Sequence, residues 1–215
     1  VPRAVKEKYY GCGSAVPLGI EGLHVLDLGS GSGQDCYVAA VLVGANGSVI
    51  GVDMTEEQLQ VARENIAPFA SALGFEPRLE FRHGLIEDLA SCGIAESTLD
   101  LVISNCVINL SPRKDLVLKE VYRVLKSGGE LYFSDVYCDR RLSETVRSHK
   151  LLWGECIAGA MYINDFLALC RTVGFSDPRE VERHPISVED ETLKDVVGNA
   201  KFVSITYRLF KIPGS

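Results

Sequence analysis

Short apolar runs alternate with amphipathic stretches along most of the chain. Apolar runs at 23–28, 48–53, near 78–82, at 99–104 and at 130–135 predict five strands. Between them the apolar positions recur at helical spacing. A helix is expected from near Gly33. Another begins after Thr55, with Leu59, Ala62, Ile66 and Phe69 on one face. Thr55 followed by Gln58 reads as a capping box. A third helix, over about 113–126, carries Leu116, Val117, Val121 and Val124 and stops at Gly128 and Gly129. Helical segments follow near 141–158 and 164–173, then two strands near 178–183 and 202–211 that form an antiparallel, hairpin-like end. Strand and helix in alternation predict an α/β fold: a doubly wound, mostly parallel sheet covered on both faces.

With 215 residues, 47% of them hydrophobic, the chain suffices for one substantial core. Its net charge of −7 offers no electrostatic footprint for nucleic acid or acidic lipid. No apolar run approaches the ~18 residues of a membrane span, and no signal peptide is visible. The seven cysteines stand at 12, 36, 92, 106, 138, 156 and 170. None are paired at the short spacing of a structural zinc site. An odd count without a signal peptide suggests reduced thiols and a cytoplasmic setting. Cys36, Cys92 and Cys170 are expected to be packing residues.

The first strand runs through Asp27 into Gly29, Gly31 and Gly33, and the second ends on Asp53. Glycines let backbone approach a ligand closely, the following helix favours an anionic group, and a strand-end carboxylate can accept from both ribose hydroxyls. Gln34 stands where the dinucleotide fingerprint needs its third glycine, which argues against a pyrophosphate. Residues at the carboxyl ends of the strands should meet the ligand. Glu87 reads either as an acceptor for an adenine amino group or as a solvated helix-start carboxylate. Gln58 reads as a site residue or as a cap. Asn105 should face the pocket, and Cys106 should line it. Cys12, between Gly11 and Gly13, and Cys156, in a glycine-rich stretch, are open either to a reactive role or to packing.

Tyr9–Gly13, Leu26–Gly33, Ser104–Leu110, Gly128–Tyr137 and Trp153–Cys156, with Phe202–Ser204 and Tyr207–Lys211, together resemble arsenite S-adenosylmethionine methyltransferases of the class I, Rossmann-like type. The resemblance implies a cofactor shell of Tyr10, Asp27, Gly29, Gly31, Gly33, Asp53, Met54, Gln58, Ile86, Glu87, Asn105 and Cys106. It makes Cys12 and Cys156 the catalytic thiols that bind trivalent arsenic. It further implies a cofactor-binding domain over 1–150 and an arsenic-binding region over 151–215 that completes the sheet. The family's C-terminal domain has no counterpart in these residues. A monomer is expected, with arsenicals as substrates and a thiol reductant of glutathione or thioredoxin type as partner. Two departures stand out. A family cysteine upstream of Tyr9 has no counterpart, and Ala200 stands where another is usual. Two thiolates match monomethyl arsenous acid, so that substrate is expected to be favoured over arsenite. Another small-molecule methyltransferase and a non-catalytic arsenical-binding module are the competing readings.

Overall fold

Strands buried on both faces need apolar side chains at nearly every position, and the central strands have them. The computed structural model describes residues 1–6, 15–154 and 156–212. Its elements are α1 (Arg3–Lys6), β1 (His24–Leu28), α2 (Gln34–Val43), β2 (Ser48–Asp53), α3 (Glu56–Glu64), α4 (Ile66–Leu73), β3 (Leu79–His83), β4 (Leu99–Asn105), α5 (Lys114–Val124) and β5 (Leu125–Cys138). Then come α6 (Glu144–Arg147), α7 (Lys150–Gly154), β6 (Met161–Tyr162), α8 (Ile163–Val173), β7 (Arg179–Ile186), α9 (Glu191–Val197) and β8 (Phe202–Phe210). The sheet order is β3-β2-β1-β4-β5-β8-β7, with β6 against the end of β5. The β1–β5 pairings are parallel; β8 runs antiparallel to both β5 and β7.

Alternate side chains of one strand feed different cores. Val25, Leu101 and Ile103 pack with α2 and α3, through residues such as Tyr37 and Leu59. Leu26, Leu28 and Val102 pack with Val117, Val121 and Phe166 of α5 and α8. A third cluster beyond β5 gathers Val136, Leu152, Ile157 and Phe202, and Cys156 packs against it. The chain leaves β1 toward β2 on one side and returns to β4 on the other. The crevice at that switch lies above Gly29 and Asp53.

Several local expectations change. The helix expected through Phe69 is two helices that meet at Asn65. Pro68 cannot donate to the carbonyl one turn back, so it is tolerated only in the first turn of a new helix. The capping box is absent: the Thr55 side chain caps nothing. Helix α5 ends at Val124 and extended chain begins at once. The segment 141–158 holds two short helices, divided where the Ser148 hydroxyl bonds back to the Glu144 carbonyl. Helix α9 is an addition to the elements read from the apolar pattern; Asp190 caps it by accepting from the Thr192 and Leu193 amides. Among the described residues no helix is long and apolar enough to cross a membrane.

Candidate active site

The two sequence features that suggested a ligand are bonded to each other. Asp53 Oδ2 accepts from the Gly31 amide at 2.8 Å, and Oδ1 accepts from the Thr55 amide at 2.8 Å. The carboxylate therefore stands fixed at the end of β2 with lone pairs to spare. The three glycines all have positive φ, but for different reasons. A Cβ at Gly29 would strike Val107, and one at Gly33 would strike the Phe81 ring, so both serve packing. A Cβ at Gly31 would meet nothing within 4 Å among the described residues, so no packing contact there accounts for this glycine. Helix α2 starts at once behind Gly33 with no side-chain cap, which leaves first-turn amides for an anionic group.

A cavity of about 450 Å³ lies over this loop, with Gly29, Asp53, Met54, Ile86, Glu87 and Leu110 in its wall. Its rim is apolar and exposed: Met54 at 67% and Leu85 at 53%. Large apolar groups at a cavity mouth suit a flat apolar ligand body. Glu87 accepts a short hydrogen bond from the Ser111 hydroxyl. It sits in a turn, with no helix after it, so the helix-start reading falls away. Gln58 makes no cap either; among the described residues its buried Oε1 has no hydrogen-bond partner, as with the Ser30 hydroxyl behind the glycine loop.

Under the loop, the Cys36 thiol donates to Asp27 Oδ2 at 3.2 Å, and Asn105 Nδ2 donates to Asp35 Oδ2 at 3.4 Å. Both carboxyls are buried. Burial and the neighbouring Asp35 charge lift Asp27 well above the usual carboxylate range, and burial lifts Asp35 too. Asp35 Oδ1 is unpartnered among the described residues. A bound cation would favour the charged form of both carboxyls. These buried acidic groups, an anion-seeking helix start and a carboxylate for a ribose together fit S-adenosylmethionine. Asp35 was missed from sequence; its place at the start of the helix after the glycine loop was the available signal.

The thiols form the second half of the site. Cys12 and Tyr10 lie outside the described residues. Cys156 does not stand alone: its Sγ donates to the Cys106 carbonyl at 3.2 Å. A hydrogen bond from the Cys106 side chain holds the Cys156 thiol below its ordinary range, opposed by burial and the Asp135 carboxylate and aided by Lys114. Cys106, assigned to the cofactor shell from sequence, is thus a neighbour of Cys156. Both adopt left-handed backbone, with φ of 56° and 60°. Cys36, Cys92 and Cys170 are buried, and burial raises each thiol, Cys170 to about 12. A second cavity, of about 460 Å³, adjoins the first at Pro112 and is lined by Lys114, Arg147 and Trp153.

The model of a methyltransferase domain family matches residues 20–196. An arsenite methyltransferase of Aquipseudomonas alcaligenes is 58% identical over 98% of this chain and 60% of its own length. One from Mus musculus is 52% identical over 97% of this chain and 56% of its own. This chain therefore spans somewhat more than half the length of these relatives. The crystal structure of an arsenic(III) S-adenosylmethionine methyltransferase from Chlamydomonas reinhardtii superposes with a TM-score of 0.95. It is 59% identical, covering all of this chain and 72% of that one.

Proposed function

The chain belongs to the methyltransferase domain family and, within it, to the arsenite methyltransferases, and on that premise we propose that it methylates trivalent arsenic held by its own thiols. The observation that carries this reading is the contact of the Cys156 thiol with Cys106, which follows the end of β4 and precedes Val107 in the wall of the cofactor cavity. Arsenic(III) is soft and favours thiolates. On loading, each thiol forms a sulfur–arsenic bond and passes its proton to an arsenic-bound hydroxide, which leaves as water. The Cys156 thiol, held below its ordinary range, loses its proton more readily than a free cysteine and is suited to the first exchange.

S-adenosylmethionine, when bound, supplies a methyl group activated on a sulfonium. Asp53 holds the ribose hydroxyls, Glu87 and the apolar rim hold the adenine, and the loop from Gly29 to Gly33 receives the methionine end. The thiols hold the arsenic lone pair at near-attack distance, and orientation supplies most of the rate. No general base is needed for the lone pair itself. Arsenic that gains a methyl through its lone pair becomes pentavalent. Two thiols must each give up an electron to restore the trivalent state, hence a thiol reductant of glutathione or thioredoxin type as partner. We retain Cys12 as a further arsenic ligand. With Cys106 the ligand count becomes three, which matches the three exchangeable groups of arsenite. Arsenite and monomethyl arsenous acid are therefore both proposed substrates. The test is methyl transfer from labelled S-adenosylmethionine with a thiol present: both arsenicals should be methylated, and failure with both would sink the proposal.

A further inference from the structure

Among the described residues, three other than glycine have positive φ: Ser97, Cys106 and Cys156. Such backbone is sparsely populated and persists only where its surroundings over-determine it. The surroundings here are specific. The Cys106 amide donates to the Ser134 carbonyl at 2.9 Å. Three residues on, buried Asn109 is pinned twice to the end of β5. Its amide donates to Asp135 Oδ2 at 2.9 Å, and its Nδ2 donates to the Val136 carbonyl at 2.5 Å. On the other loop the Cys156 amide donates to the Trp153 carbonyl at 3.0 Å, and the Ile157 and Ala158 amides share the Leu152 carbonyl at 2.9 Å. The two loops touch where Gly159 lies against the Asn109 backbone: a Cβ at 159 would collide with the Asn109 carbonyl oxygen.

We propose that Asn109 and Gly159 are a positioning pair that sets the separation of the Cys106 and Cys156 thiols. This rests on the dithiol reading above. Asn109 cannot retreat, because both its side chain and its amide are tied to β5. Gly159 lets backbone meet backbone with no side chain between. A methyl group at 159 must therefore push the Cys156 loop away from Cys106. Gly154, on the other side of Cys156, is the internal control, since a Cβ there meets nothing within 4 Å among the described residues.

The test uses the full chain and dibromobimane, which fluoresces once both of its arms have alkylated thiols. Peptide mass mapping locates the bridge. Monobromobimane measures the reactivity of Cys156 alone, and a thermal melt reports folding. A displacement of about 1 Å can cost on the order of a hundredfold in rate, so bridging of Cys106 to Cys156 should slow by that order in Gly159→Ala. It should slow also in Asn109→Ala and stay unchanged in Gly154→Ala, with single-arm labelling of Cys156 preserved throughout. Bridging at the parent rate in Gly159→Ala overturns the inference. If that variant does not fold, Asn109→Ala decides in the same way. A parent protein that forms no bridge between these two cysteines overturns the dithiol reading itself, and the inference with it.

Discussion

Replacing Asp53 with alanine should weaken cofactor binding by two separable routes. The first is direct: both ribose hydroxyls would lose the acceptor proposed for them. Hydrogen bonds to a charged group are worth about 1.5–3 kcal/mol each. Asp53 is only partly buried, so the lower end applies, and two such bonds amount to roughly 3 kcal/mol, or about a hundredfold in Kd. The second route runs through the protein. The same carboxylate anchors the Gly31 and Thr55 amides at 2.8 Å each, so the glycine loop loses its tie to β2. Asp53→Asn separates the two routes, because one amide oxygen can still accept from Gly31 while the charge and one acceptor are gone. Calorimetric titration with S-adenosylhomocysteine is the assay. The expected order of affinity is parent, then Asp53→Asn, then Asp53→Ala. Parent-like affinity in Asp53→Ala would refute the reasoning, since neither route could then exist.

Two further outcomes follow from the thiol end of the site. Burial lifts Asp135 to about 7, so the folded chain holds this proton more tightly than the unfolded chain does. The associated stability is complete below about pH 4 and is lost as pH rises through about 7, at up to about 1.4 kcal/mol per unit. Asp135→Asn should flatten this slope in urea melts at about pH 5 and about pH 7; equal slopes in the two proteins would contradict it. Trp153, the single tryptophan, sits three residues before Cys156 and lines the cavity beside it. A trivalent arsenical should change its emission in the parent and leave Cys156→Ser silent; the same response in both would detach Cys156 from the arsenic.

The juxtaposition of the glycine loop and Asp53 was legible because its parts are local. An apolar strand, a glycine loop and a carboxylate at the end of the next strand need only strand order to come together, and the Gly31–Asp53 hydrogen bond closes that unit. The reason for each glycine was less legible: Gly29 and Gly33 make room for Val107 and Phe81, which lie far along the chain. The thiol half was half-read. Cys156 drew notice by its glycine-rich setting, but its neighbour Cys106 comes from a loop fifty residues earlier. The apolar pattern around Cys106 signals a strand end and says nothing of which loop will lie across it. Thr55 and Gln58 misled for a local reason. Asp53 takes the Thr55 amide instead, and the Gln58 side chain keeps a buried oxygen with no partner among the described residues. Pro68 and the Asp190 cap were both readable signals of a helix boundary.

The most direct test of dithiol-held arsenic methylation is a single turnover with methyl-labelled S-adenosylmethionine and a stoichiometric trivalent arsenical, run on the parent, Cys106→Ser and Cys156→Ser. The account predicts label on arsenic in the parent and almost none in either variant, while both variants still bind S-adenosylhomocysteine. Labelled arsenic formed at the parent rate by Cys106→Ser and Cys156→Ser would contradict it.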